Sequence, residues 1–283
     1  MPAVAAPASS AGLLIKSPAR QPGYTLIAEP GTSVLRWIRC GRLILDSGQK
    51  RHEAVAGYGE VVLDIFAGRC QVTVRGPFGR EERAAGERAD AFSGNPSMVY
   101  IPAGAEYTVE SNGEDVLIGV FEAPARANGQ RPVFVTAGEA ALNQVGRDNW
   151  SRRVMTSIGE NVPAEKLLVG ETLNPPGNWS SAPPHKHDRN RPPNEAVMEE
   201  VYYFQVKPPQ GFGFMRVYTA PDDPRPFDEA YVVEDGDTVL IPRGYHPVVA
   251  GPGYEVHYAW ALAGEERRYG AWSDDPRHAW IRG

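Results

Sequence analysis

Apolar residues in this chain fall in short runs set between glycine, proline and aspartate. The runs Val61 to Phe66, Cys70 to Val74, Val99 to Ile101, Val116 to Phe121, Val201 to Val206, Phe212 to Tyr218, Thr238 to Ile241 and Val256 to Ala261 are rich in β-branched and aromatic side chains. Runs of this length between turn residues predict strands of a sandwich or barrel. Helical periodicity is nearly absent, apart from a short turn expected around Gly138 to Asn143. The expected fold class is all-β.

The chain also resembles itself. At a shift of 140 residues, Glu60-Val61 falls on Glu200-Val201, Ile101-Pro102-Ala103-Gly104 on Ile241-Pro242-Arg243-Gly244, and Val109, Gly113 and Val116 on Val249, Gly253 and Val256. Preserved spacing as well as identity points to two copies of one β unit. The copies are expected over residues 23–130 and 131–283, after a flexible N-terminal tail over residues 1–22. In the shared IPxG element an apolar strand ends, proline fixes the backbone and glycine permits a tight turn into the next strand. Ala105-Glu106-Tyr107 follows that turn in the first copy and Tyr245-His246-Pro247 in the second, so only the second offers a histidine there.

Composition narrows the function classes. With 283 residues the chain can bury a sizeable core, and its 30 Gly and 26 Pro suit a turn-rich β protein. A net charge of −6 argues against a nucleic-acid surface, and pairs such as Arg152-Arg153 read as solvated. The Ala/Pro/Ser-rich first twenty residues lack a basic n-region and hold too short an apolar run for a signal peptide or membrane span. Cys40 and Cys70 fit no framework of bridges and are expected as free or buried thiols. A cytoplasmic protein acting on a small molecule is the expectation, with no nucleic-acid or membrane partner.

The candidate chemistry lies in the second copy. In His185-Lys186-His187 the two rings share one face of an extended strand, about 7 Å apart at their Cα atoms, a spacing suited to chelation. A carboxylate strand follows at Glu199-Glu200, and His246 comes just after the IPRG turn. Three imidazoles and one carboxylate make a mixed N/O site with positions left open for substrate. Glu195, Glu199 and Glu200 are all candidates for the carboxylate; the match to Glu60, and the shared face of Glu200, Tyr202 and Phe204, favour Glu200. Leu45, Ser47 and Glu106 stand at the matching positions of the first copy, which is therefore expected to be metal-free, with one divalent ion per chain. His52 reads as a lone surface or hydrogen-bonded histidine, His257 as a strand residue near the site, and His278 as C-terminal packing.

The order HxH, glutamate, then histidine after a PxG turn resembles the two motifs of the cupin superfamily and implies a bicupin, two tandem jelly-roll β-barrels. Longer stretches narrow the resemblance. GNWSSAPPHKHD (177–188), EEVYYF (199–204), PPQGFGFMRVYT (208–219), DEAYVVEDGDTVLIPRGYHPVVAGPGY (228–254) and DPRHAWI (275–281) are similar to the 5-deoxy-glucuronate isomerases of myo-inositol catabolism. The 5-keto-4-deoxyuronate isomerases of pectin degradation match less well. One departure is Ala182, where an aromatic residue is expected.

The resemblance implies an aldose-ketose isomerisation of a sugar acid, 5-deoxy-D-glucuronate to 5-dehydro-2-deoxy-D-gluconate. A metal on the substrate's carbonyl and hydroxyl oxygens would polarise the carbonyl and stabilise enediolate charge. It implies zinc, with Mn²⁺, Fe²⁺ or Ni²⁺ fitting the same donors. Tyr202, by strand parity, and Glu199 are the candidate proton carriers, and Arg216 with Tyr218 the candidate substrate contacts, since a guanidinium binds a carboxylate in bidentate fashion. Lys186, between the two histidines, is expected to point away from the metal. A bicupin Fe(II) dioxygenase and a non-catalytic sugar-acid-binding cupin are the competing readings. Exposed strand edges leave a homo-oligomer open.

Overall fold

The computed structural model describes residues 12–46, 49–127 and 129–283; Ser47 and residues 1–11 of the expected tail lie outside them. Two halves repeat one plan. In the first, the strands Val133–Val135, Ser97–Ile101, Glu60–Ala67, Val116–Ala123, Arg39–Leu45 and Gly23–Ala28 form one antiparallel sheet in that spatial order. It packs on a second sheet, Arg51–Val55, Glu106–Ser111, Cys70–Gly76 and Gly79–Ala85. In the second half, Leu14–Ile15, Thr238–Ile241, Met198–Lys207, Glu255–Gly264, Leu168–Asn174, Arg152–Ile158 and Ala141–Val145 form the larger sheet. Its partner is Trp179–Ser180, Val248–Ala250, Gly213–Tyr218 and Asp228–Val233. The all-β expectation holds; the turn near Gly138 leads into a strand, Ala141–Val145. Both cysteines are buried and free.

Strand parity builds two kinds of core. Along Glu60–Ala67, the side chains of Val61, Leu63 and Ile65 enter the first half's interior with Leu43, Leu45, Val72 and Val99. The alternate residues Val62 and Phe66 join a core shared with the second half, where Phe66 stacks on Tyr203 with ring centroids 5.3 Å apart. Both faces are therefore apolar, which is why the strand reads as a continuous hydrophobic run rather than as an alternation. An aromatic pair of this kind adds about 0.5–1.5 kcal/mol beyond its buried area.

Each half lends a strand to the other. Leu14–Ile15 pairs with Thr238–Ile241, and Val133–Val135 pairs with Ser97–Ile101, so the segment preceding each half adds to the IPxG strand of its neighbour. Residues 13–17 are thus not a flexible tail: Leu13 is buried, its carbonyl accepts from the Leu240 amide (2.8 Å), and Lys16 pairs with Glu234 and Asp237. The expected division at residue 130 is likewise crossed. A reciprocal carboxylate strap accompanies the exchange. Glu60 accepts the amides of Glu165, Lys166 and Leu167 (2.6–2.7 Å), and Glu199 accepts those of Arg36, Trp37 and Ile38 (each 2.7 Å).

These straps correct the repeat by one residue. Val61 faces Ile101 across its sheet and Glu200 faces Ile241, so Glu200 is equivalent to Val61, and Glu199 to Glu60. Because side chains alternate, a slip of one residue exchanges the faces of a strand. The position matching Glu200 in the first half is consequently an apolar core residue.

Candidate metal centre

His187, Glu200 and His246 converge inside the second barrel, their ligand atoms all within 4.8 Å of one another and all three side chains buried. Glu200 comes from the middle sheet strand Met198–Lys207, His187 follows the short strand His185–Lys186, and His246 follows the IPRG turn. That turn needs glycine at 244: φ is +95°, and a Cβ there would lie 2.6 Å from the carbonyl oxygen of Tyr218.

Backbone carbonyls fix both imidazoles. Nδ1 of His187 donates to Met198 O (2.7 Å) and Nδ1 of His246 to Gly244 O (2.9 Å), which leaves each Nε2 directed inward. The two Nε2 atoms lie 3.0 Å and 3.2 Å from the same Glu200 oxygen, Oε2. In the neutral tautomers these are lone pairs meeting a carboxylate, a set of acceptors that a cation would reconcile. Nε2 of His246 is buried and makes no hydrogen bond. The donor set therefore fits a divalent metal. Burial pushes the Glu200 carboxyl up, but His187 and His246, when they carry protons on Nε2, outweigh it and hold it at about 2. Burial and the neighbouring His246 and His187 push the His185 ring well below its ordinary range.

His185 lines the same cavity with its ring 4.8 Å from that of His246, but its nitrogens lie outside the close group. Lys186 points the other way, onto Glu195 (2.6 Å) and Asp188. Glu195 also accepts the amides of Asp188 and Arg189 (both 3.0 Å), and Asp188 accepts that of Gly244 (2.9 Å). This buried ionic network ties the HxH segment to the turn that carries His246, and so sets the spacing of the ligands.

The cavity beside the ligands is walled by Val154, Met198, Trp260, Leu262, Tyr269 and Trp272, while Arg152, Thr172, Ser181, Tyr202 and Tyr258 supply its polar groups. Tyr202 stacks on Tyr258 (4.3 Å), stands edge-on to His246 (5.8 Å) and exchanges a hydrogen bond with the Ser181 hydroxyl (3.1 Å). Burial, reinforced by Glu200, pushes the Tyr202 phenol well above its ordinary range, so it stays protonated.

Four sequence expectations are corrected here. Glu199 lies on the opposite face of its strand, bound to three amides of the first half, and takes no part in the cavity. Arg216 and Tyr218 do alternate as expected, but Met215 and Val217 are the residues of that strand that enter the core. Arg216 is exposed, paired with Asp228 (2.7 and 2.5 Å) and 4.0 Å above the Tyr218 ring; the Tyr218 hydroxyl donates to Asp275 (2.8 Å). His257 faces the first half, 3.1 Å from Glu171 and edge-on to Phe66 and Phe92. Arg152 is not solvated but buried in the cavity wall. Its alternation with Val154, another cavity residue, was the available signal, whereas Arg153 reaches outward to Asn95 (3.0 Å).

Two antiparallel β-sandwich halves, one with an apolar interior and one holding a buried His/Glu/His cluster, define a bicupin with a single candidate metal centre among the described residues. Comparison with known proteins is more specific: the KduI/IolB family model matches residues 13–281, and the chain belongs to that family. A 5-deoxy-glucuronate isomerase of Geobacillus kaustophilus is 43% identical over 78% of each chain, and one of Listeria innocua 33% identical over 95% of this chain and 98% of its own. An IolB-like protein of Salmonella typhimurium superposes with a TM-score of 0.87 at 29% identity, covering 96% of this chain and all of that one. Oxalate decarboxylase of Lactobacillus farciminis shares the fold (TM-score 0.66, 94% and 89% covered) at 11% identity.

Proposed function

We propose that the chain is a metal-dependent aldose-ketose isomerase converting 5-deoxy-D-glucuronate to 5-dehydro-2-deoxy-D-gluconate, in myo-inositol catabolism. The observation that carries this reading is the convergence of two carbonyl-fixed imidazoles and one carboxylate on an aromatic cavity, in a chain whose curated relatives bear the name 5-deoxy-glucuronate isomerase. His187, Glu200 and His246 would hold one divalent ion, zinc in this reading, with His185 completing the set by a turn of its side chain. When bound, such an ion polarises the carbonyl and offsets the negative charge that develops on the substrate oxygens.

The protein's own groups supply the rest. The apolar and aromatic walls lower the local dielectric around a bound sugar acid, which strengthens charge interactions within. Tyr202 holds a proton at its Oη beside the Ser181 hydroxyl, ready to donate to an oxygen that gains charge rather than to act as a base. The Lys186, Asp188 and Glu195 network fixes the distance between the two histidine-bearing segments.

The test is incubation of the purified protein with 5-deoxy-glucuronate without oxygen, followed by NMR. Accumulation of the ketose is expected. Oxygen-dependent consumption of the sugar acid, or binding without conversion, would overturn the reading in favour of a dioxygenase or a binding protein.

A further inference from the structure

Among the described residues Arg152 is the one Lys or Arg side chain lining the metal cavity, with no ionic partner there. It opens the strand Arg152–Ile158, whose inward parity places Arg152 and Val154 on the cavity. The side chain is 8% exposed. Its contacts are two carbonyls, Trp150 O at 3.2 Å and Ala182 O at 3.3 Å, both on Nη1, and the Trp150 ring at 5.7 Å; Nε is buried without a partner. No carboxylate pairs with it among the described residues. The contrast is Arg88, equally buried, whose guanidinium grips Glu171 through both Nη atoms.

A buried guanidinium is costly unless its charge is met. Two neutral carbonyls meet part of the donor set and none of the charge. Glu200, the carboxylate of this cavity, is already engaged by His187 and His246. The chain thus keeps an uncompensated cation in a largely apolar wall that it shares with Ser181, Tyr202 and Tyr258.

From this geometry we infer that Arg152 binds the carboxylate of the sugar-acid substrate and so orients the chain of carbons with its carbonyl end at His187, Glu200 and His246. The inference rests on the isomerase reading for the identity of the substrate, but not for the presence of an anion subsite. It moves the clamp from Arg216, whose charge Asp228 already meets, to the residue whose charge is unmet. Arg152 is a binding residue with a rigid planar fork, so lysine should replace it only in part.

The test uses two matched probes that lack the aldehyde and so cannot be isomerised, L-gulonate and L-gulonamide, titrated calorimetrically into the metal-loaded protein and into its Arg152→Gln and Arg152→Lys variants. The wild type should prefer the acid by about 10- to 100-fold, as expected for a charge-assisted pair out of water. Arg152→Gln should bind acid and amide alike, by losing the acid and leaving the amide within about twofold, and Arg152→Lys should fall between. Equal affinity for both probes in the wild type, failure to bind either, or a parallel loss of both in Arg152→Gln would overturn the inference; the last would show that Arg152 only braces the loops at Trp150 and Ala182. If Arg152→Gln does not fold, the acid preference of Arg152→Lys decides: unchanged from wild type, it overturns the fork. Because neither probe need be turned over, these outcomes are separate from whether the protein isomerises 5-deoxy-glucuronate.

Discussion

Glu199 and Glu200 are adjacent in sequence and opposite in role. Glu200 points into the second barrel toward two imidazoles, while Glu199 points out of it and binds three amides of the first half. Replacing each by glutamine separates the roles. Glu200→Gln should lose bound metal, measured by elemental analysis, and lower kcat/KM beyond the roughly 10- to 100-fold cost of disturbing an outer partner of a metal ligand. Glu199→Gln should keep its metal and its kcat but unfold at lower urea, with about 1–3 kcal/mol less stability, because one charged acceptor of three amides is lost. Tyr202→Phe removes a proton held in the cavity without disturbing the stack on Tyr258. Its kcat should fall by about 10²-fold or more with little change in urea midpoint, as steady-state kinetics and denaturation would show.

At the scale of the element, what could be read from the sequence follows from alternation. The runs of Val, Ile, Tyr and Phe do form strands, and the parity of Glu200, Tyr202 and Phe204 is visible in the letters alone. Parity gives two faces but not which is inside. On Gly213–Tyr218 the residues that enter the main core are Met215 and Val217, so Arg216 and Tyr218, correctly grouped, lie on the other face, Arg216 exposed and Tyr218 buried against Ala220 and Tyr245. The one-residue slip in the repeat has the same origin: Glu60-Val61 and Glu200-Val201 match by letter, while the partners of the strands, Ile101 and Ile241, set the true register. A two-residue strand such as Leu14–Ile15 has no periodicity to read, and only its pairing with Thr238–Ile241 shows it. Leu13→Ala should therefore cost about 2–4 kcal/mol in a urea titration, which a residue in a flexible tail would not.

Asp275 makes the matching prediction for the C-terminal segment. Burial pushes its carboxyl up, but Arg277 and Tyr218 outweigh that and hold it at about 2. Its folded value thus lies below the ordinary aspartate value of about 3.9, so its contribution to stability is present above about pH 4 and is lost as the pH falls toward 2. The difference in urea midpoint between wild type and Asp275→Asn should be largest near neutral pH and shrink through that window.

The whole molecule uses one plan twice for different ends. The first half fills its barrel with Val61, Leu63 and Ile65, where the second has Glu200, Tyr202 and Phe204, and the exchanged strands and reciprocal glutamate straps join the two. A half with an apolar interior is thereby joined to a half whose interior carries the polar groups of the site. The pair of halves was legible in the sequence, as was the approach of His187 and His246 to Glu200, while His185 lines the cavity outside that close group. Arg152 was not legible, because a charged residue at the start of a strand reads as surface until the fold closes over it.

Metal dependence and isomerase activity are tested together by restoring metal to chelator-treated protein and following ketose formation from 5-deoxy-glucuronate under anaerobic conditions. A single-metal isomerase should show no turnover before addition, then activity rising in proportion to bound ion and saturating at one per chain. Full activity without metal, saturation at two ions per chain, or no ketose in the absence of oxygen would contradict it.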